Sequence, residues 1–181
     1  MHIVMNPLRN VNVESIRQSP VVRRWRKSRF DRAFANGNAV GSFRGIYETF
    51  AEALADLPSD VPTSYDQPGT GEMYKEVLTS LREWDYPVLY WLSRYPGVLR
   101  SVFDYGGHVG FLFHGFAKYL SFDQSLQWTV CDVPEVTRAG ERLAKERGDG
   151  RIDFCNELAA VEKGYDLLLA SGSLQYFEEP F

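Results

Sequence analysis

Val98-Leu99-Arg100-Ser101-Val102-Phe103-Asp104-Tyr105-Gly106-Gly107-His108-Val109-Gly110-Phe111-Leu112-Phe113 holds the turning point of this sequence. Val98 to Asp104 reads as a strand ending in a carboxylate, Tyr105 to Gly110 as a glycine-rich turn, and Phe111 to Leu120 as a helix. Glycines there let the backbone turn sharply and approach a ligand closely. The N–H groups opening the next helix then face that ligand. One acid and three glycines in seven residues are a weak signal alone; the strand before and the helix after give the loop its meaning.

The same grammar continues downstream. Leu126 to Cys131 reads as a second strand ending at Asp132, and Pro134 to Arg147 as a helix with Val136, Ala139, Leu143 and Ala144 inward. Lys145 and Arg147 lie in its last turn and Gly148-Asp149-Gly150 ends it. Arg151 to Cys155 is a third strand and Asp166 to Ala170 a fourth. The run Leu167-Leu168-Leu169-Ala170 suits a strand buried in a parallel sheet. The crossover between Cys155 and Asp166 leaves room for a helix of a turn or two. Strands and helices alternating at this spacing predict an α/β, Rossmann-like parallel sheet over residues 98–181.

Upstream, residues 1–97 read as a helical cap and substrate-side region. The best helix spans 20–34, with Pro20 in its first turn, inside a basic stretch bearing Arg17, Arg23, Arg24, Arg26, Lys27, Arg29 and Arg32. It is either a solvated surface helix or a contact for phosphate-rich or anionic-lipid material. Asn36-Gly37-Asn38 is a turn, Gly41 to Tyr47 is irregular, Thr49 to Leu57 is a short helix, and Pro58 to Gly71 is a loop. Glu72 to about Tyr95 reads as one or two helices with Met73, Val77, Leu81 and Trp84 on one face and a kink or restart at Pro87. Trp84, Tyr86, Tyr90, Trp91 and Tyr95 are expected in core packing or in a lid; Tyr65 and Gln67 either fold over a ligand or lie on the surface.

The 181 residues carry a formal net charge of -4, with 13 basic and 11 acidic side chains in residues 1–100 and 7 and 13 in residues 101–181. Any anion-attracting surface therefore belongs to the N-terminal side, and one basic helix on an acidic chain is no clear nucleic-acid signal. Two cysteines, Cys131 and Cys155, make neither a disulfide framework nor a thiolate cluster and are expected as buried free thiols. No apolar run approaches a transmembrane length and no signal peptide is evident, so a cytoplasmic location is expected. No metal-ligand spacing occurs. The NAD-type fingerprint fails because His108 or Val109 stands where its second glycine belongs, and no Gly-Lys-Ser/Thr follows for a phosphate-binding P-loop. Gly172-Ser173-Leu174-Gln175-Tyr176 lacks the second glycine of a nucleophile elbow.

Asp104-Tyr105-Gly106-Gly107-His108-Val109-Gly110 resembles the first motif of Rossmann-like S-adenosylmethionine (SAM) dependent methyltransferases. Trp128 to Val136, with Asp132-Val133-Pro134-Glu135-Val136, resembles the second, in the Asp-Leu-Pro-x-Val form of small-molecule O-methyltransferases. The whole chain, including Phe43 to Tyr47 and Asp85 to Leu89, is also similar to a bacterial methyltransferase-like family associated with surface polysaccharide genes. The resemblance implies SAM as cofactor and a small-molecule or saccharide acceptor. It implies that Gly106, Gly107 and the backbone of 108–110, in one loop with Tyr105, wrap the methionine part, and that Asp104 meets its amino group directly or through water. Asp132 would accept from both ribose hydroxyls, as a carboxylate suits a vicinal diol. Val133 would pack on the adenine, Cys155 and Asn156 would lie near its edge, and Ser171 and Gly172 would line the reaction side.

Two departures stand out. His108 replaces the usual middle glycine, where it contacts the cofactor, acts as a base, plays a structural part, or marks a loss of SAM binding. His114, mid-helix, is expected to be structural. The family's sheet continues past a fourth strand, where this sequence ends. Four strands would leave an apolar edge that invites homo-oligomerisation. A catalytically inactive binding or scaffold protein is the alternative reading, and a nucleotide-sugar or NAD-binding domain a weaker third. Asp104 also suits a carboxylate that caps the turn, and Asp132 a helix N-cap; either role is compatible with ligand binding.

Overall fold

The computed structural model describes residues 19–36, 45–57, 64–72, 78, 80–95 and 98–178, in two compact units, 1–63 and 64–181. The change of sequence grammar at 97/98 thus falls inside the second unit, which also holds residues 64–95. The expectations for residues 13–18, Gly37 to Arg44, Pro58 to Thr63 and Met73 to Val77 fall outside the described residues.

In the first unit, helix α1 (Pro20–Ala35) starts where proline is tolerated, and the Ser19 hydroxyl accepts from the Val22 N–H at 3.3 Å. None of its side chains is buried. Helix α2 (Phe50–Ala55) is capped by Thr49, whose hydroxyl accepts from the Glu52 N–H at 3.1 Å, while the Glu52 carboxylate accepts from the Glu48 N–H.

The second unit is built on four parallel strands: β1 (Ser101–Tyr105), β2 (Gln127–Cys131), β3 (Ile152–Cys155) and β4 (Leu167–Leu169), in the order β3-β2-β1-β4. Between them run α4 (Phe111–Phe116), after β1, and α5 (Pro134–Arg147), after β2; α3 (Tyr86–Ser93) precedes β1. A short 3-10 helix of six residues, Leu158–Lys163, replaces the third crossover helix. The strand order reverses at β1, the Rossmann-like arrangement that opens a crevice at the carboxyl ends of the central strands.

Alternation along β1 sorts its side chains. Val102 faces a cluster of Leu112, Phe113, Phe116, Leu126, Trp128 and Val130, while Phe103 and Tyr105 face Cys131, Tyr165 and Phe177. Burying each of the large side chains contributes roughly 1.5–3 kcal/mol. Helix α5 packs closely because of its small residues: a Cβ on Gly140 would stand 2.2 Å from the Phe154 ring, and one on Gly71 2.2 Å from the Ala139 side chain. It ends as the sequence predicts, with Gly148 at φ 66° and the Asp149 N–H returning to the Ala144 carbonyl.

Strand β4 is fastened to β1 at its start. The Asp166 carboxylate accepts from the backbone N–H groups of Arg100 at 2.7 Å and Ser101 at 2.9 Å, and the Asp166 N–H donates to the Ser101 hydroxyl at 3.0 Å.

Several boundaries differ from the sequence reading. Strand β1 begins at Ser101, and the helix after the glycine turn stops at Phe116. Residues 80–82 are not helical; a 3-10 turn at Glu83–Asp85 restarts the chain and places Pro87 in the first turn of α3. Trp84, Tyr86, Tyr90, Trp91 and Tyr95 are exposed, not core. Strand β4 is an edge, so Leu168 is 57% exposed and only Leu169 of its three leucines is buried. Cys131 is buried, but Cys155 is only half-buried.

Candidate functional site

The glycine turn adopts the backbone that its residues permit. Gly106 and Gly110 have φ of 73° and 83°, and His108, at φ 56°, is the one non-glycine residue with positive φ among those described. The chain thus runs through His108 as it would through a glycine, at about 1–2 kcal/mol for an L residue. Gly107 is required for another reason: a Cβ there would stand 2.4 Å from the Asp104 carboxylate.

Asp104 is 1% exposed and accepts from the Trp128 indole N–H at 3.0 Å. Burial pushes its pKa up to about 7, the indole opposes that rise, and Asp132 adds to it. The Asp132 carboxylate ties the turn to the end of β2, one oxygen accepting from the His108 N–H at 2.9 Å and the other from the Val133 N–H at 2.8 Å. Burial raises its pKa, and these two bonds lower it. The N-cap reading of Asp132 is corrected: Val133 occupies the cap of α5 with no side-chain cap bond. That helix start is served instead by Asp66, which accepts from the Glu135 N–H at 2.8 Å.

Asn156 donates through one amide nitrogen to the Asp132 carbonyl at 2.8 Å and the Thr137 hydroxyl at 2.7 Å, locking the end of β3 to β2 and α5. Cys155 is the register partner of Cys131, whose thiol is pushed up to about 12 by burial and then by Cys155. Val133 packs on the Leu78, Val109 and Val136 cluster. Tyr105 turns away from the loop, its ring stacked on Phe177 at 3.9 Å, and leaves its carbonyl to accept from the Ser173 hydroxyl at 2.5 Å. Ser171 and Gly172 follow β4 on the other side of β1, with Gly172 at φ 73°.

Asp104, Gly107, His108, Asp132, Val133 and Asn156 are therefore joined by contacts at the ends of β1, β2 and β3, while the Tyr105 side chain lies on the opposite face of the sheet. The His108 ring nitrogens are shielded from solvent and the ring faces the Thr70 carbonyl; burial holds its pKa below the ordinary value. His114 is buried, and burial followed by Arg147 lowers its pKa to about 4, so it stays neutral near pH 7. Sequence reasoning missed Trp128, Asp66 and Ser173, whose parts depend on cross-strand register or on contacts far along the chain.

The acceptor at the end of β2 suits the ribose of an adenosyl cofactor. A carboxylate accepts about four hydrogen bonds, so Asp132 keeps capacity for a vicinal diol beside the two it accepts from the backbone. At Gly106 and Gly107 the space a side chain would take is held by Ser173 and by the Asp104 carboxylate. Among the described residues no group of three or more His, Cys, Asp or Glu suits a metal ion, and no helix is long and apolar enough to cross a membrane.

No protein-family model matches the sequence, and no curated protein does. Among solved structures, the chain is similar to a SAM-dependent methyltransferase from Geobacter sulfurreducens in complex with S-adenosyl-L-homocysteine, at 18% identity over 62% of this chain and 47% of that one, TM-score 0.43. A SAM-dependent methyltransferase from Thiobacillus denitrificans matches at 18% identity over 65% and 46%, TM-score 0.43. The mitomycin 7-O-methyltransferase MmcR matches at 17% identity over 87% and 43%, TM-score 0.43. The chain spans less than half the length of each of these. The Rossmann-like assignment stands on the strand order of the chain itself.

Proposed function

We propose that residues 98–181 bind S-adenosyl-L-methionine and serve methyl transfer to a small-molecule or saccharide acceptor. The observation that carries this reading is the Asp132 carboxylate joined to the left-handed backbone at His108, at the carboxyl end of β2. Gly106, Gly107 and the backbone of 108–110 would hold the methionine part and Asp104 its amino group. Asp132 would take the ribose hydroxyls, Val133 the adenine face, Cys155 and Asn156 its edge, and Ser171 and Gly172 the acceptor side. The saccharide option rests on the sequence resemblance alone.

The bound cofactor would supply an electrophilic methyl group on sulfonium. The chain's own task is to hold an acceptor oxygen in line with that methyl group and to keep water out. The acceptor proton needs a base, and His108 and His114 are weak candidates, with shielded ring nitrogens in the first and a buried ring in the second. That observation favours a second reading, a methyltransferase-like binding or scaffold protein without catalysis. The exposed edge at β4 remains a candidate for pairing with another chain.

Calorimetric titration of SAM and S-adenosylhomocysteine into the wild-type chain and Asp132→Ala tests the cofactor site. Micromolar binding to the wild type, weakened in the variant, supports it. A folded wild-type chain that binds neither overturns it. Binding without methyl transfer to any acceptor in a saccharide and phenol panel favours the second reading.

A further inference from the structure

Helix α3 is apolar on both sides. Leu92 is buried, and Val88 and Leu89 pack against the Trp128 cluster. The opposite side carries Tyr86, Pro87, Tyr90 and Trp91, all exposed. With Trp84 just before the helix and Tyr95 just after it, five aromatic rings stand between 51% and 64% exposed. The outer side of a surface helix is ordinarily polar, and a helix apolar all round is one covered all round. Rings of this size and exposure present on the order of 600 Å². That is the upper end of the largest patches on typical monomers, about 300–600 Å², and such patches are often functional; a standard interface takes about 800 Å² from each partner.

The ends of this face carry opposite charges. Glu83 precedes the helix and Arg94 is its C-cap, both exposed. Glu83 opens the 3-10 turn that leads into the helix and Arg94 closes the helix, so opposite charges bracket the aromatic residues. A two-fold axis across the middle of the helix would set Glu83 of each copy opposite Arg94 of the other. It would also align the two helix dipoles antiparallel. The face is thus self-complementary in charge as well as apolar, which is what an isologous contact requires.

We propose that the aromatic face of α3 pairs with a second copy of this chain, α3 against α3 in antiparallel orientation. The residues of this surface are not among those assigned to the cofactor, and the proposal does not depend on SAM binding.

Sedimentation velocity over a range of micromolar concentrations tests it, on the wild type, Trp91→Ser, Glu83→Arg, Arg94→Glu and the double variant Glu83→Arg/Arg94→Glu. All these side chains are exposed, and circular dichroism checks that each variant folds. The wild type is expected to be a dimer that Trp91→Ser dissociates. Each single reversal sets two like-charge pairs in the interface and raises the dimer Kd at least about tenfold. The double variant restores the wild-type value to within about threefold. A wild type that stays monomeric overturns the proposal. So does a dimer that none of these changes weakens, which would point to the β4 edge, or one that the double variant fails to restore.

Discussion

The indole N–H of Trp128 donates to the carboxylate of Asp104 at 3.0 Å, inside the sheet and 24 residues away in sequence. It opposes the burial that lifts Asp104 from an ordinary 3.8 to about 7. A carboxyl whose folded pKa is raised weakens the fold as pH rises. The penalty is absent below 3.8, grows between 3.8 and about 7, and is complete above about 7. Asp104→Asn keeps an acceptor for the indole and removes the charge. It is expected to be more stable than the wild type at pH 8 by a few kcal/mol and to lose that advantage near pH 4. Urea denaturation of both proteins at the two pH values checks this, since the difference between them isolates Asp104 from other titrating groups.

Gly107 is held by the same carboxylate. Gly107→Ala places a Cβ against Asp104, where a shift of the loop or of the carboxylate must follow. A destabilisation of about 1–3 kcal/mol is expected, read by denaturant midpoint. An unchanged midpoint would mean that the turn has room that its backbone does not display.

How far the sequence discloses this site depends on the distance each interaction spans. The acid ending β1, the glycines after it, and Asp132 ending β2 are legible because each follows a strand at a fixed place in a βαβ unit. The partners of those acids are not. Trp128 meets Asp104 only once Val102 is opposite Trp128 in the ladder, a register that no local pattern states. Asp66 serves the start of α5 from 69 residues upstream, so Asp132, the acid next to that helix, looks like its cap and is not. The five aromatics around α3 have helical spacing, and spacing alone does not say which side of a helix the core takes.

His108 separates backbone conformation from side-chain contact. Its φ of 56° strains any residue with a Cβ, while its ring fills space beside Thr70. Both His108→Ala and His108→Gly lose the ring, but only the glycine variant relieves the backbone. The glycine variant is expected to be more stable than the alanine variant by about 1 kcal/mol or more. Equal stabilities in thermal or chemical unfolding would contradict the left-handed conformation.

Asp66 acts as a cap across the fold. Asp66→Ala leaves the Glu135 N–H without its acceptor and is expected to lose about 1 kcal/mol. Asp66→Asn keeps an oxygen there and should lose less. If both variants match the wild type in chemical denaturation, the bond contributes nothing in solution.

Strand β4 shares only three ladder positions with β1, yet it carries the Ser171–Ser173 turn. Its grip comes from its two ends, Asp166 on the Arg100 and Ser101 amides and the Ser173 hydroxyl on the Tyr105 carbonyl. Those amide bonds hold the Asp166 carboxyl below the usual range, so the fastening is complete at neutral pH and fails as acid protonates it. Acid below pH 3.8, and not mild acid, should therefore peel the far wall of the crevice from a sheet that is otherwise intact. Amide exchange in 167–169 would quicken before exchange in β2, so that one carboxylate makes this edge an acid-released flap.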